Sequence, residues 1–422
     1  MSILLKNATY VDWKTLEFKQ TNIIVNQEIS GKIEFTNNIE NNNFADIIDC
    51  SNLLVTKSFA LGHHHAYSAL ARGMPAPKKT PNNFNEILQY IWWNIDKLLD
   101  KEMIEASALA TAIACAKAGS TFVIDHHSSQ NHIKGSLQIL ANAFEKVGLS
   151  HLLCYEISDR DGAKKTKQAF EETESYLQNN QALIGLHASF TLGDNSLKTA
   201  QNLMQKYNSG IHIHVAEDKY DQTDSINKYG KRVVERLNDF GFLNSSKTIL
   251  AHCLHIDDNE RDIINKSNSF VVQNTESNLN NQVGNFNSAG LGNNIMFGTD
   301  GMHSDMIKSA QFAYFAGLAH DNINFDSMYA RLRNSHNYLS INNFEGDNEN
   351  NLVILDYDSP TQINQNNFLG HLIFGINSKH IKHVISKGKL IVEDYKIKNI
   401  NEKEVLKFTK EQANRLWQKL KI

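Results

Sequence analysis

Cysteine and proline are both scarce, with four of each in a chain of 422 residues. Cys50, Cys115, Cys154 and Cys253 show no Cys-x-x-Cys spacing. They read as buried thiols in a reducing compartment, which excludes a disulfide frame. Three of the four prolines fall at 75, 77 and 81. The stretch Arg72-Gly73-Met74-Pro75-Ala76-Pro77 therefore stops a helix and forms a loop, a candidate lid. No charge of one sign dominates: 42 Lys and Arg against 46 Asp and Glu leave a formal net charge of -4. A dedicated nucleic-acid binder would be basic, so no nucleic-acid partner is expected. No window approaches the ~18 uninterrupted apolar residues of a membrane span. The opening Met-Ser-Ile-Leu-Leu-Lys-Asn has no long apolar run of the kind a secretory signal carries. A cytoplasmic location without a membrane partner is expected.

What the chain does contain is an alternation. Apolar runs suited to strands occur at 59–65, 120–127, 151–156, 182–187, 210–217, 247–252, 270–273 and 294–300. Between them lie helical patterns near 84–99, 102–118, 134–146, 163–178, 195–207, 224–240, 258–266 and 305–318. Strands alternating with helices imply parallel βα units, and eight such units imply a closed barrel. Short strands at 3–5, 22–25, 32–35, 52–55, 352–356, 383–386 and 389–392 flank this block, with helices at 325–341 and 402–421. The expected fold class is α/β: a (β/α)8 TIM barrel over 57–345, with a small β-sandwich domain from both chain ends, 1–56 and 346–422. The Asn-rich tracts at 37–43 and 342–351 read as solvated loops.

Chemistry concentrates where the strands end, which is the catalytic face of such a barrel. In Gly62-His63-His64-His65 an extended backbone points His63 and His65 the same way and His64 the other. Two imidazoles on one face can pinch a divalent metal. Asp125, His126, His127 and His187 end further strands. His212-Ile-His214-Val-Ala-Glu217 puts a ligand candidate three residues before a carboxylate able to shuttle protons. His212 shares a face with His214 and can support it. His252 and Asp300 end two later strands; an Asp there can bind metal and accept a proton from water. Taken singly, each has a bland alternative: a buried structural histidine, or an Asp or Glu capping a helix. Together they fall in strand order on one barrel face.

This pattern resembles the amidohydrolase superfamily: His-x-His on the first barrel strand, His-x-x-Glu on the fifth, His on the sixth and Asp on the eighth. The resemblance spans nearly the whole chain. It is closest to the aminohydrolase and chlorohydrolase branch, with its guanine deaminase-like enzymes, and within that to SsnA-type aminohydrolases. The segments carrying it are 65–73 (His-Ala-Tyr-Ser-Ala-Leu-Ala-Arg-Gly), 91–96, 154–162, Ser277-Asn278, 370–375 and 384–388. Two departures stand out. Lys57-Ser58 occupies the place of the usual Pro-Gly, and the loop 273–278 lacks the proline usual before Ser-Asn.

The resemblance implies a metal-dependent hydrolase acting on carbon–nitrogen bonds other than peptide bonds. One divalent ion is expected, zinc first with iron left open, held by His63, His65, His214 and Asp300. Binuclear relatives use a carboxylated lysine on the fourth strand, which here ends in His187 and offers none. Glu217, His252 and Asp300 are the expected catalytic residues. His187, His127, Tyr67 and Arg72 are the expected substrate contacts; Trp92 is expected to pack into the barrel. Tyr155, Glu156 and Arg160 could touch substrate or pair with one another. The expected substrate is a small purine-like or other N-heterocycle that is deaminated. Ring opening of a cyclic amide and a catalytically silent barrel acting as an assembly partner are the alternatives. A homodimer is expected from the resemblance.

Overall fold

The computed structural model describes residues 2–27, 31–38 and 44–420. The chain begins with β1 (Ser2–Val11), β2 (Phe18–Asn26), β3 (Ile33–Thr36), β4 (Asp46–Asp49) and β5 (Leu54–Lys57). The barrel strands follow: β6 (Phe59–His64), β7 (Ser120–His127), β8 (Ser150–Tyr155) and β9 (Ile184–Ala188). They continue as β10 (Ile211–Val215), β11 (Ile249–His252), β12 (Phe270–Gln273) and β13 (Ile295–Phe297). Last come β14 (Leu352–Leu355), β15 (Ile381–Ser386), β16 (Lys389–Glu393) and β17 (Lys396–Ile397).

The barrel strands pair in parallel as β6-β7-β8 and β9-β10-β11-β12-β13. Parallel bridges Leu153–Ala182 and Ile157–Leu186 join β8 to β9. The bridge His64–Asp300 joins β6 to the end of β13, which closes the ring. Inward-facing Ala60, Phe122, Ile124, Leu152, Ile249, Phe270, Val272 and Met296 fill the lower barrel. Tyr338 and Leu339, from the helix Phe325–Ile341, plug its base. Side chains fill such a barrel in layers, so polar groups meet only at the open end.

The strands from both chain ends form one nine-stranded sheet, ordered β17-β16-β15-β14-β5-β1-β2-β3, with β4 also on β1. One edge of β1 is shared: β4 takes Ile3–Lys6 and β5 takes Thr9–Tyr10. That fork lets the sheet fold over a core of its own, where Ile3, Leu5, Ile23 and Val25 meet Leu352, Ile354, Ile385 and Leu390. β5 pairs antiparallel with β14, so the two chain ends are clasped. Among the described residues no helix is long and apolar enough to cross a membrane.

Several expected elements come out differently. The helix expected over 84–99 is broken into Phe84–Ile87, a π turn Leu88–Trp92 and Trp93–Asp96. The helix expected over 224–240 is two, Lys219–Tyr229 and Val233–Asp239, because Gly230 (φ 68°) turns the backbone left-handed between them. The Asn-rich tract at 342–351 is not a solvated loop. Asn342, Asn350 and Asn351 are buried, and Asn351 Nδ2 donates to Gly346 O at 2.8 Å while Oδ1 accepts from Lys387 N at 2.6 Å. Of the other tract, residues 39–43 lie outside the described residues.

Candidate active site

Strand alternation builds the site. Phe122, Ile124 and His126 share one face of β7, and His212 and His214 one face of β10. The apolar members sit low in the barrel and the imidazoles sit above them. Gly298 makes room at the rim: a Cβ there would fall 2.8 Å from His63 Cβ and 2.4 Å from Asn274 Oδ1. Ala216, His252, Cys253 and Asp300 all have positive φ, between 45° and 74°. Left-handed backbone at non-glycine residues is costly and gathers at functional sites.

Four side chains turn lone pairs toward one point. His65 Nδ1 lies 2.6 Å from His126 O, and His214 Nδ1 lies 2.7 Å from His187 O. A carbonyl only accepts, so both Nδ1 atoms carry hydrogen, and in the neutral rings both Nε2 atoms present lone pairs. These two Nε2 atoms face each other at 3.2 Å, an arrangement that a shared cation relieves. Asp300 Oδ1 stands 3.0 Å from His65 Nε2 and 3.4 Å from His63 Nε2. His63 Nε2 is buried without a hydrogen-bond partner. His63, His214, His252 and Asp300 bring ligand atoms within 4.8 Å of one another. This donor set, imidazole with one carboxylate, suits a zinc-class ion.

A chain of hydrogen bonds sets the His63 tautomer. His63 Nδ1 is 2.8 Å from His212 Nε2, and His212 Nδ1 is 3.7 Å from Cys154 Sγ. The thiol donates to Asp125 O at 3.6 Å, which leaves sulfur to accept from His212. His212 Nε2 then accepts from His63 Nδ1, and His63 Nε2 points inward as a lone pair. His64 faces away, with Nδ1 2.9 Å from Thr299 Oγ1.

Burial and neighbouring charges pull these groups in different directions. Burial pushes His63 down to about 3, against the pull of the Asp300 carboxylate. His214 is also held well below the ordinary imidazole range, by burial and by neighbouring histidines. Burial opposes a charge on His65 too, yet the Asp300 hydrogen bond and charge lift it to about 9. Asp300 is held well below the carboxylate range, His63 and His65 outweighing its burial.

Beside this cluster, Glu217 Oε2 is 3.6 Å from His252 Nε2, and Glu217 Oε1 accepts from Asn281 Nδ2 at 3.3 Å. Burial lifts Glu217 to about 7, against the pull of His252 and with the charge of Asp300 adding to it. His252 Nδ1 donates to Asn278 Oδ1 at 2.8 Å, so its Nε2 also presents a lone pair. The Ser277 hydroxyl donates to Asp300 Oδ2. Ser277, Asn278 and Asn281 had no role assigned from sequence. They sit on the short helix Thr275–Asn280 and just beyond it, and only the Ser-Asn pair hinted at them.

A cleft enclosing about 910 Å³, open solvent at its mouth included, leads to the cluster. His65, His214, Glu217 and Asp300 line it, as do His187 and Tyr67 among the expected substrate contacts. Arg72 and His127 do not. Arg72 reaches Met302 O at 3.4 Å and borders a different hollow. His127 lies on the opposite face of β7 from His126 and bonds Ser129 Oγ at 2.9 Å. Trp92 lines the cavity and also packs against the hydrophobic core. The roof is not the proline loop. Phe84, Leu88, Trp92 and Trp93 cover the cavity, the π turn bringing adjacent Trp92 and Trp93 to it together. Met74, Pro77 and Lys79 border a separate hollow.

The amidohydrolase family model matches residues 62–391. The chain belongs to the amidohydrolase family. It is 25% identical to a 5'-deoxyadenosine deaminase of Methanococcus maripaludis, over 87% of this chain and 89% of that one. It is 24% identical to a 5-methylthioadenosine/S-adenosylhomocysteine deaminase of Thermoanaerobacter pseudethanolicus, over 99% of this chain and all (100%) of that one. An adenosine deaminase from Xanthomonas campestris with bound zinc shares the fold, with TM-score 0.82 at 16% identity, covering 99% and 98% of the two chains. So does an atrazine chlorohydrolase from Arthrobacter aurescens complexed with zinc, with TM-score 0.80 at 14% identity, covering 97% and 100%. This amidohydrolase is thus a (β/α)8 barrel hydrolase with an imidazole–carboxylate cluster able to hold metal.

Proposed function

We propose that this amidohydrolase deaminates a purine-like or related N-heterocycle, using one zinc ion held by His63, His65, His214 and Asp300. The observation that carries the reading is the convergence of pinned imidazole lone pairs and Asp300 beside a protonatable Glu217. The deaminase names of the relatives above support loss of an amine over ring opening. An ion held by these residues would lower the pKa of water from 15.7 to about 7 and so supply a nucleophile at neutral pH.

The protein's own groups then divide the protons. Asp300 takes one proton from water as the oxygen bonds the amine-bearing ring carbon. Glu217, protonated at the start, gives its proton to the adjacent ring nitrogen. His252, fixed by Asn278, orients the attacking oxygen. In collapse, the proton on Asp300 goes to the amine, the carbon–nitrogen bond breaks and ammonia leaves. The hydroxyl proton returns to Glu217, leaving a ring carbonyl beside a ring N–H.

The test is a screen of purines, pterins and hydantoins with zinc-loaded protein, reading ammonia and ultraviolet change. Ammonia without a new carboxylate is expected; a new carboxylate would indicate ring opening. Glu217→Gln should lower kcat by about 10²–10⁴-fold with zinc retained. Unchanged activity would remove Glu217 from the mechanism. A homodimer in the cytoplasm belongs to the same proposal, and a monomer by light scattering would remove the dimer.

A further inference from the structure

The wall of the cavity formed by β8 and β9 has an unusual hydrogen-bonding character. Thr191 Oγ1 donates its single hydroxyl proton to Ala188 O at 3.0 Å. It therefore accepts from His187 Nδ1, 2.8 Å away, and His187 Nε2 is left as an acceptor. Next to it, Glu156 Oε1 accepts from Arg160 Nη1 at 2.8 Å. The guanidinium keeps Glu156 ionised, and an ionised carboxylate only accepts. Glu156 Oε2 stands 3.5 Å from His126 Nδ1. His126 Nε2 is 3.2 Å from Leu186 O and 3.1 Å from His212 O, so it carries the hydrogen and Nδ1 has none to give. His126 Nδ1 is buried without a partner. Both Glu156 and His187 line the cavity.

The acidic lining of the cavity points the same way. Asp96, Glu156, Glu217, Asp218, Asp221 and Asp300 border it, and among the described residues no Lys or Arg does. Arg160 is held behind the wall by Asp96, Glu156 and Asp161. Its guanidinium on Glu156 also argues against a second dication here, although Glu156, His187 and His214 bring ligand atoms within 4.8 Å of one another.

We propose that Glu156 and His187 form an acceptor-only edge that reads N–H donors on the bound ring. The site then takes a neutral or cationic heterocycle with an amidine- or guanidine-type N–H edge, and rejects anionic substituents. This rests on reading the cavity as the seat of an N-heterocycle. Thr191 is a positioning residue, acting through the His187 tautomer.

The test is calorimetric binding to zinc-loaded protein, read separately from ammonia release. Two matched pairs serve as probes: adenine with 2,6-diaminopurine, which adds an amino donor, and adenosine with adenosine 5'-monophosphate, which adds an anion. Bonds to charged groups predict that 2,6-diaminopurine binds about 10-fold tighter than adenine. The monophosphate should bind at least about 10-fold weaker than adenosine. Thr191→Val lets His187 Nε2 carry the proton, so the preference for 2,6-diaminopurine should shrink several-fold with zinc content unchanged. A packing role alone would leave that preference unmoved. If the variant fails to fold, the wild-type pairs decide. Equal binding within the first pair, tighter binding of the monophosphate, or no binding by any probe overturns the proposal. A second zinc per chain that disappears in Glu156→Gln also overturns it. Preference intact with no ammonia from any probe removes the deaminase reading and leaves the donor-reading edge standing.

Discussion

The two ends of the barrel each bury a charged cluster, and the two are built to opposite purposes. At the base, Lys57 Nζ pairs with Asp347 Oδ1 at 3.0 Å and donates to Asn348 O at 2.5 Å. Asp347 Oδ2 lies 2.7 Å from His336 Nδ1, and His336 Nε2 lies 3.0 Å from Ser58 O. Arg333 donates to the carbonyls of Lys57 and Ser58. Lys57 and Asp347 neutralise each other there, and the Arg333 guanidinium is held by carbonyl oxygens and the Tyr329 hydroxyl. At the rim the same residue types are arranged with lone pairs facing lone pairs, and His63 Nε2 and His252 Nε2 are left over. A buried ionic group completed by the protein makes a joint. One left incomplete makes a binding site.

That contrast can be broken from either side. The largest effect belongs to the rim: His214→Ala should abolish both zinc retention and activity, by metal analysis and ammonia assay, while the unfolding midpoint of the metal-free protein stays within a few degrees. At the base the reverse should hold. Lys57→Met leaves the buried Asp347 with only the His336 ring beside it and should cost about 3–5 kcal/mol in denaturant unfolding. Zinc stoichiometry and kcat of the folded protein should be unchanged. Adding Asp347→Leu should recover most of that loss; no recovery would mean that Lys57 acts through something other than charge. Smaller again is the support behind His63. His212→Asn should weaken zinc binding about 10–100-fold in competition with a chelator. The smallest effect is a pH profile. Glu217 must begin protonated and is lifted by burial to about 7. Its protonated fraction, and kcat with it, should therefore fall about tenfold per pH unit above that value. The limb should vanish in Glu217→Gln.

The rim was more legible in the sequence than its surroundings, for a physical reason. His63, His65, His214, Glu217, His252 and Asp300 end strands, and a period-2 pattern broken by polar residues marks a strand end directly. Alternation also separates His126 from His127, although sequence reading had favoured His127 as a substrate contact. What escaped depends on geometry without a period. The π turn at Leu88–Trp92 inserts no special residue, so a helical pattern hid the roof of the cavity. Asn278 and Asn281 look like loop asparagines until the fold brings His252 and Glu217 to them. Lys57-Ser58, a departure from the family's Pro-Gly, becomes intelligible only through partners near 336 and 347, almost three hundred residues away.

The clasp between β5 and β14 also bears on how the protein is made. Leu54 pairs with Leu355, so about 300 residues must leave the ribosome before that edge is covered. At about 5–20 residues per second, the wait is roughly 15–60 s. During that time the nascent chain carries an open strand edge of apolar Leu54 and Val55, the kind of surface that recruits chaperones or a neighbouring nascent chain.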